Sequence, residues 1–230
     1  MSEKFAVIGI GHFGRAMAIS LSKRGAEVMV MDLDEEKIDS INDKVAYAVA
    51  LDATDKRALI QQEIADFDAV VIAIGENFEA RLLCATILMD IGVKRIICRS
   101  LGSRQKLILK KMGIEEILSP EDEVAVLVSE RLLNPSLLSY LQFPDDYRVA
   151  EVMTPPNIAG KAYGEINFRD KYKLSLITLK RDFVEYVKDN QQTIQHIIGV
   201  PDSKTIIQAD DSLVLFGKNR DLERFIEINS

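Results

Sequence analysis

Histidine, cysteine and long apolar runs are scarce in this chain of 230 residues, which contains two histidines and two cysteines. Cys84 and Cys98 both lie within apolar runs, and their spacing fits neither a disulfide framework nor a zinc site. The longest apolar stretches, such as "LLCATILM", are far shorter than the ~20 residues that span a bilayer. We therefore expect two buried thiols in a reducing compartment and no transmembrane helix.

Runs of basic residues are also absent, and the formal net charge is −7. A protein that binds nucleic acid needs a basic surface to displace counterions, so we expect no nucleic-acid partner. The N-terminal "MSEKF" leads directly into an apolar strand, which predicts no signal peptide. The sequence thus predicts a cytoplasmic protein, whose association with a membrane would come through a partner.

The first 135 residues contain a regular alternation of short apolar strands and helices. The strand segments are "FAVIGI", "AEVMVMD", "VAYAVALD", "DAVVIAIG", "KRIICRS" and "EEILS". Nearly continuous apolar strands separated by helices predict a parallel sheet that is covered on both faces. We therefore predict a Rossmann-type, doubly wound α/β domain.

The alternation stops after "NPSLLSYLQFPDDY", where prolines punctuate the chain. Beyond this stretch lie four strand segments, "YRVAEVM", "LSLITLKR", "FVEYVK" and "DSLVLFG", and a terminal helix, "RDLERFIEI". We predict a Rossmann-like domain at 1–135, a linker at 136–146 and a small α+β domain at 147–230. Because the boundary lies in a linker region that prolines punctuate, a fragment from about Asp145 to Ser230 is expected to fold alone, as a dimer.

A glycine-rich motif, G-x-G-x-x-G, follows the first strand at Gly9, Gly11 and Gly14. In nucleotide-binding folds the first glycine permits a tight turn, the second lets the backbone approach a pyrophosphate, and the third lets helix and strand pack closely. Asp32 ends the next strand at about the spacing expected for a ribose ligand. The alternative is that the glycines form only a turn. No basic residue follows Asp32 before Lys37, which disfavours NADP.

Residues at the ends of further strands should surround the same crevice, because ligands of open parallel sheets bind at the carboxyl edge. The candidate cofactor-binding residues are Gly9, Gly11, His12, Phe13, Gly14, Asp32, Leu33, Asp52, Ala53, Thr54, Ala73, Ile74, Gly75, Glu76, Asn77 and Arg99. Two alternatives stay open: Asp52 and Thr54 could simply cap a helix, and Arg99 could be a solvated surface charge.

Proteins with such a fold are often enzymes, but the sequence contains no candidate catalytic group. A dehydrogenase needs a proton donor or acceptor and a substrate pocket, whereas the two histidines are His12, inside the glycine motif, and His196. No nucleophile elbow, Walker A lysine or cluster of metal ligands is present. These features favour a binding or regulatory role, and we predict no enzymatic activity.

The order of these motifs resembles that of the regulator of potassium conductance (RCK) family, in particular the TrkA/KtrA-like cytosolic gating subunits of bacterial potassium uptake systems. The resemblance covers essentially the whole chain. In the first domain it rests on "FAVIGIGHFG", "MDLDEEK", "LDATD", "AIGEN" and "SPEDEVA". In the second it rests on "INFRDKYKLSLITLKR" and "DDSLVLFGKNRDLERF".

The resemblance implies an N-terminal switch that binds ATP, ADP, AMP or NAD(H) and a C-terminal domain that dimerises and takes a ligand. It implies that homodimers assemble into a ring, an octamer, and that the helix containing Val124 to Leu133 crosses between subunits. Nucleotide exchange would change the shape of the ring and gate an integral membrane subunit that translocates potassium. The chain would then be cytoplasmic and peripherally associated with the membrane through the transporter.

The resemblance also implies roles for individual residues. It assigns the phosphates to Gly9, Gly11 and Gly14, the ribose to Asp32, the adenine to Asp52, Ala53 and Thr54, and a phosphate to Arg99. Glu121, in "SPED", matches a carboxylate that is associated in relatives with a divalent cation between paired nucleotides at a dimer interface. The alternative for Glu121 is a helix N-terminal carboxylate that the helix dipole favours.

His12 departs from the pattern of close relatives, which often carry an arginine there that grips the terminal phosphate. A histidine is only partly charged near neutral pH and cannot make a forked contact. ADP, AMP and NAD are therefore candidates beside ATP, and Arg15, one helical position further on, is a candidate to compensate.

In the second domain, Asn167, Arg169 and Tyr172 match the "N-x-R-x-x-Y" stretch of the family, where some relatives bind cyclic di-AMP at a dimer interface. The alternative is a structural turn with Arg169 in a salt bridge. Our leading hypothesis is a regulatory subunit that senses nucleotides and gates a potassium transporter or channel. An NAD-dependent oxidoreductase and a regulator of a cation/proton antiporter are the alternatives.

Overall fold

The computed structural model describes residues 3–187 and 190–230, and the chain divides into two compact units, Met1–Val124 and Ala125–Ser230. The strands of the first unit are β1 (Lys4–Ile8), β2 (Glu27–Asp32), β3 (Tyr47–Ala50), β4 (Ala69–Ile72), β5 (Ile96–Arg99) and β6 (Glu116–Leu118). Its helices are α1 (His12–Lys23), α2 (Glu35–Asp39), α3 (Lys56–Gln61), α4 (Phe78–Ile91) and α5 (Ser103–Lys111), with 3-10 turns at Asn42–Lys44 and Ile64–Asp66.

These strands form one parallel sheet in the order β3-β2-β1-β4-β5-β6. The predicted Rossmann-type, doubly wound sheet is thereby confirmed. The strand order reverses between β1 and β4, where the chain leaves one half of the sheet for the other. In open α/β sheets this switch point creates a crevice at the carboxyl ends of the strands.

Both faces of the parallel sheet are covered by apolar side chains, as the continuous apolar strands predicted. Successive residues of β1 illustrate this, because they point to opposite faces. Ala6 and Ile8 belong to one core cluster, with Ile72 and Leu88. Val7 belongs to the other.

A further helix, α6 (Pro120–Leu133), contains the division between the two units, which falls between Val124 and Ala125. The strands of the second unit are β7 (Leu137–Gln142), β8 (Tyr147–Met153), β9 (Ser175–Val187), β10 (Asn190–Ile197) and β11 (Ser212–Lys218). Its helices are α7 (Tyr163–Ile166), α8 (Phe168–Tyr172) and α9 (Asn219–Asn229), with a 3-10 turn at Pro144–Asp146.

The second unit is built on an antiparallel sheet in the order β10-β9-β11-β8-β7. Its core contains aromatic side chains from α8 and α9, of which Phe168, Tyr172 and Phe225 contact one another. The predicted small α+β unit is confirmed.

Two local predictions in the second unit were wrong. Residues 136–146, expected as a linker, contain strand β7, and its Leu137 is buried in the core of the sheet unit. The prolines flank β7 instead of interrupting it, so they mark its two ends. One strand, β9, contains most of "LSLITLKR" and the first five residues of "FVEYVK", and it pairs with the unforeseen β10. The last residue of "FVEYVK", Lys188, lies outside the described residues. The domain limits 1–135 and 147–230 stay a prediction.

Among the residues that the structure describes, no helix is both long enough and apolar enough to cross a membrane.

Candidate functional site

A cavity of about 910 Å³ opens at the carboxyl edge of the parallel sheet. It is lined by the glycine loop between β1 and α1, by the chain that follows each of the strands β2 to β5, and by Glu121 of α6. All the predicted cofactor-binding residues except Gly14 line it: Gly9, Gly11, His12, Phe13, Asp32, Leu33, Asp52, Ala53, Thr54, Ala73, Ile74, Gly75, Glu76, Asn77 and Arg99. The structure therefore brings these side chains together around one space.

The three glycines of the motif differ in their surroundings. Gly9 has a φ of +96°, and a Cβ there would lie 2.7 Å from the backbone nitrogen of Ile74. A Cβ on Gly14 would overlap the carbonyl oxygen of Gly9, so Gly14 serves close packing of α1 and does not line the cavity. A Cβ on Gly11 would meet nothing within 4 Å. The space in front of Gly11 is open, as the approach of a ligand to the backbone requires.

Asp32 ties the end of β2 to the glycine loop. One carboxylate oxygen accepts the backbone N–H of Ile10 at 2.6 Å, and the other accepts the N–H of Asp34 at 3.0 Å. The ammonium of Lys37 lies 3.5 Å from that second oxygen. A carboxylate offers about four acceptor positions, so Asp32 retains capacity for a ribose hydroxyl beside these partners.

Asp52 and Thr54 form a compact turn at the end of β3. The Asp52 carboxylate accepts both the hydroxyl of Thr54, at 2.7 Å, and its backbone N–H, at 2.8 Å. These two hydrogen bonds, the hydroxyl first, hold the pKa of Asp52 below its usual value. The N-cap of α3 is Asp55, which accepts the N–H of Arg57. Capping of α3 therefore does not account for Asp52 and Thr54.

The segment after β4 is fixed by a residue that the sequence analysis did not single out. Asn77 caps α4 by accepting the N–H of Ala80 at 2.9 Å. Arg81, one turn into α4, is fully buried. Its guanidinium donates to the carbonyl oxygens of Ile74, at 2.8 Å, and Gly75. A charged residue inside the apolar helix segment "FEARLLCATILM" is the signal that could have revealed it.

Arg99 and Glu121 form an ion pair at the rim of the cavity. The Arg99 guanidinium lies over the ring of Phe13, 5.4 Å from its centroid. Its Nε is buried and has no hydrogen-bond partner within the described ranges. Arg99 is thus a cavity residue with an unused donor, and only 16% of its side chain is exposed.

Glu121 lies in the first turn of α6, where the pKa of its carboxyl is lowered. The largest cause is the hydrogen bond from its own backbone N–H at the helix start, and the bond from Arg99 adds to it against a desolvation that raises the pKa. Residues 3–187 and 190–230 contain no group of three or more His, Cys, Asp or Glu side chains that could hold a metal ion. A cation at Glu121 between two chains stays a prediction.

Three polar residues that line the cavity beside the end of β2 and α2 were not predicted as a group: Arg15, Lys37 and Ser40. Arg15 donates to the hydroxyl of Ser40 at 2.7 Å and to its carbonyl oxygen at 2.8 Å. Its guanidinium is therefore held against the end of α2. His12, the first residue of α1, is exposed and lines the cavity.

The structure does not bring the predicted second ligand set together on the surface. Tyr172 is buried, and its hydroxyl donates to the Oδ1 of Asn229 at 3.1 Å. Asn167 has a φ of +51° and caps α8 by accepting the N–H of Asp170. Arg169 is exposed, and its side chain makes no hydrogen bond or ion pair with the part of the chain that the structure describes. The structural alternative thus accounts for Asn167 and Tyr172, whereas the salt bridge considered for Arg169 is not formed among residues 3–187 and 190–230.

Comparison with solved structures supports the fold. The chain matches the crystal structure of the GsuK RCK domain over its full length with a TM-score of 0.63 and 17% identity. It matches the GsuK channel bound to NAD with a TM-score of 0.62 and 16% identity. The chain spans 48% and 39% of the lengths of those two solved chains.

The similarity to curated sequences extends over nearly the whole chain. The chain is 30% identical to the Ktr system potassium uptake protein C of Bacillus subtilis (strain 168), over 98% of its own length and 96% of the relative. It is 28% identical to the Ktr system potassium uptake protein A of the same organism, over 97% and 96% of the two lengths. The family model of the TrkA-N domain matches residues 5–120. Together with the full-length likeness to the Ktr proteins, this match shows that the chain belongs to the TrkA-N family.

Proposed function

We propose that this chain is a regulatory subunit of a potassium uptake system, and that an adenine nucleotide bound in the cavity of the first unit sets its state. The observation that carries the proposal is the cavity itself, in which a glycine loop with open space at Gly11 faces an arginine with a free donor, Arg99. The full-length likeness to two Ktr potassium uptake proteins supports the transport role.

The residues around the cavity fit the parts of an adenine nucleotide. Phosphates suit the glycine loop and the start of α1, because backbone N–H groups and the helix dipole attract anions there. The guanidinium of Arg99, which borders the cavity, offers a cation to a phosphate. The ribose suits Asp32, and the adenine suits the apolar side chains of Leu33 and Ala53. AMP, ADP, ATP and NAD(H) share these parts and are the candidate ligands.

The cavity favours binding over catalysis. A general base needs a proton acceptor that is free to take a proton from a substrate. The pKa values of the Asp52 and Glu121 carboxyls are both lowered, by hydrogen bonds from Thr54 and from the start of α6 respectively, which makes these carboxylates weaker bases. We therefore propose a protein without enzymatic activity.

Assembly into larger particles is part of the proposal. In the single chain no residue of α6 is buried, and its apolar side chains Val124, Val126, Val128, Leu132 and Leu133 are exposed. We propose that homodimerisation covers these side chains and that dimers form a ring, an octamer, which contacts an integral membrane subunit from the cytoplasm. A cation at Glu121 and cyclic di-AMP near Arg169 are further candidates within that assembly.

Binding is tested by calorimetry with ATP, ADP, AMP and NADH. We expect binding of at least one of them, and we expect Gly11→Asp to abolish it because the new carboxylate fills and charges the open space at the loop. Ser20→Asp is the matched control, since it adds the same charge on an exposed position of the same helix. Equal binding by the wild type and Gly11→Asp would refute the site.

The regulatory role is tested by purifying the tagged chain from membranes of its host and by potassium flux in proteoliposomes. We expect copurification with an integral membrane protein whose flux changes when the nucleotide is exchanged. Steady turnover of NADH with small alcohols, acids or aldehydes would instead favour an oxidoreductase.

A further inference from the structure

Arg81 is a fully buried cation that binds only uncharged acceptors. Its guanidinium contacts the carbonyl oxygens of Ile74 and Gly75 and the side-chain oxygen of Gln105, the last at 2.7 Å. Removing a charge from water is costly, and a bonded carboxylate is the usual compensation. Within the described residues, Arg81 has no such carboxylate. Fold stability alone therefore gives little reason for an arginine here.

The two carbonyl groups that Arg81 binds belong to consecutive residues, and this fixes the direction of the peptide groups between them. The described peptide bonds are trans, so each N–H points away from the carbonyl of its own peptide unit. The N–H groups of Gly75 and Glu76 therefore point away from Arg81. Neither makes a hydrogen bond to any residue that the structure describes.

Gly75 and Glu76 both line the nucleotide cavity, whereas Arg81 does not. Two adjacent N–H groups that point the same way form a concave donor site for anions. The guanidinium of Arg99 lies close to these N–H groups. A Cβ added to Gly75 would lie 3.4 Å from Nη1 of Arg99.

Charges of both signs border this edge of the sheet: the cavity lining contains the carboxylates of Asp32, Asp52, Glu76 and Glu121 beside Arg15, Lys37 and Arg99. Glu121 pairs with Arg99 and also acts on Arg81 through space. The direction of the free N–H groups and the guanidinium of Arg99 beside them favour an anionic group of a ligand at this position.

We propose that Arg81 is a positioning residue of the nucleotide site, which holds the segment after β4 so that the N–H groups of Gly75 and Glu76 receive a phosphate oxygen. The inference rests on the proposed nucleotide binding. Gln105 connects Arg81 to the segment after β5, because its side-chain oxygen accepts both the guanidinium of Arg81 and, at 2.9 Å, the backbone N–H of Leu101. Arg81 and Gln105 thereby join the segments that follow β4 and β5.

The test compares ligands with and without a phosphate. Arg81→Met keeps the length of the side chain and removes its charge and all its donors. We expect the Kd of AMP and ADP to rise by about tenfold or more, the loss that one charge-assisted hydrogen bond accounts for. The Kd of adenosine should stay within about twofold, because adenosine has no phosphate for the two N–H groups to bind.

Two further variants separate positioning from general damage. Arg57→Met, on an exposed position of α3, should bind all three ligands as the wild type does. Arg81→Lys keeps the charge, but its single ammonium nitrogen cannot occupy the three positions from which Nε, Nη1 and Nη2 of the guanidinium bind their acceptors, so it should restore part of the affinity for AMP. Should Arg81→Met fail to fold, Gln105→Met takes its place, and the affinity for AMP should again fall more than that for adenosine.

Hydrogen exchange gives an independent measurement. AMP should protect the amides of a peptide covering 73–80 in the wild type, and this protection should be lost in Arg81→Met at saturating AMP while protection of the Gly11 loop persists. An unchanged ratio of the AMP and adenosine affinities in Arg81→Met, or in Gln105→Met if that variant is the one that folds, would overturn the inference and leave the nucleotide site standing. Absence of binding in the wild type and Arg57→Met would instead refute the proposed function.

Discussion

At the scale of single residues, the glycine motif contains positions with different physical requirements. Gly9 and Gly14 are needed by the fold, since one has a positive φ and both lack room for a Cβ. Gly11 has room and an ordinary φ of −73°. Substitutions at Gly9 and Gly14 should therefore affect the stability of the first unit, whereas substitutions at Gly11 should affect mainly the binding of a nucleotide.

We expect Gly9→Ala to lower the free energy of unfolding by at least about 1–2 kcal/mol, the cost of a left-handed backbone for a residue with a Cβ. Gly11→Ala should cost less than about 1 kcal/mol, mainly as a poorer N-cap of α1. Thermal and urea unfolding of the two variants provide the measurement. A larger loss of stability in Gly11→Ala than in Gly9→Ala would contradict the geometry.

A second prediction concerns the acid pH range. The Thr54 hydroxyl lowers the pKa of Asp52, so ionised Asp52 stabilises the folded state above the ordinary carboxyl pKa of about 3.9, and this stabilisation is lost as the pH falls through the lowered pKa. Thr54→Val should raise the pKa of Asp52. At neutral pH the variant should lose less than about 1 kcal/mol of stability, because the carboxylate is exposed to solvent, and its free energy of unfolding should fall less steeply below pH 4.

The control for Thr54→Val is Thr86→Val, whose hydroxyl donates to the carbonyl oxygen of Leu82 within α4 and contacts no carboxylate. Carbon NMR of the Asp52 carboxyl follows the titration directly. A pKa of Asp52 that is equal in Thr54→Val and Thr86→Val would show that the hydroxyl is not its cause.

Most of the cavity lining could be predicted from the sequence, because the residues that directly follow the apolar strands of a parallel sheet all lie at its carboxyl edge. Arg81 escaped prediction because its role depends on a turn of helix that returns its side chain to Ile74 and Gly75. Tyr172 was predicted as a ligand-binding residue but is buried in the core. Its ring is apolar enough for the core, and its hydroxyl needs only Asn229 as a hydrogen-bond partner.

At the scale of elements, strands made of apolar runs were predictable, whereas the two edge strands of the antiparallel sheet, β7 and β10, were not. All the strands of the parallel sheet were foreseen, because each is a nearly continuous apolar run. β10 carries the polar sequence "NQQTIQHI" and pairs only with β9 in the described sheet. Such a strand depends on its neighbour, not on its own composition, so the sequence alone carried no signal for it.

The exposed apolar face of α6 leads to a prediction about assembly. Leu132 is 76% exposed in the single chain, so Leu132→Asp should leave the folding of one chain unchanged. We expect it to reduce the mass of the particle, as measured by light scattering, because a buried interface disfavours a charge. Val200→Asp is the control, since Val200 is 92% exposed and lies outside α6. An unchanged mass in Leu132→Asp would contradict the proposed role of α6.

At the scale of the whole molecule, the position of β7 decides which fragment of the chain can fold. β7 pairs with β8, and its Tyr140 lies under the guanidinium of Arg148 at 4.8 Å. A fragment of residues 125–230 retains these contacts. A fragment that begins at Asp145 loses the strand and leaves one edge of β8 without a partner.

We expect the 125–230 fragment to unfold cooperatively on heating. The 145–230 fragment should be less stable by at least about 3 kcal/mol, since it exposes the apolar surface that Leu137 and Tyr140 cover. Circular dichroism melts of both fragments measure this difference. Equal melting temperatures would mean that β7 contributes nothing to the second unit and would restore the fragment boundary that the prolines first suggested.

The order of strands in the parallel sheet has a consequence for synthesis on the ribosome. β1 is made first but lies in the middle of the sheet, where Phe5 pairs with Val28 on one side and with Ala69 on the other. Its second edge has no partner until residue 69 has left the exit tunnel, and such an open apolar edge invites wrong pairing. The nascent chain is therefore most prone to aggregate between the emergence of β1 and that of β4, and a chain stalled there should recruit chaperones that bind extended apolar segments.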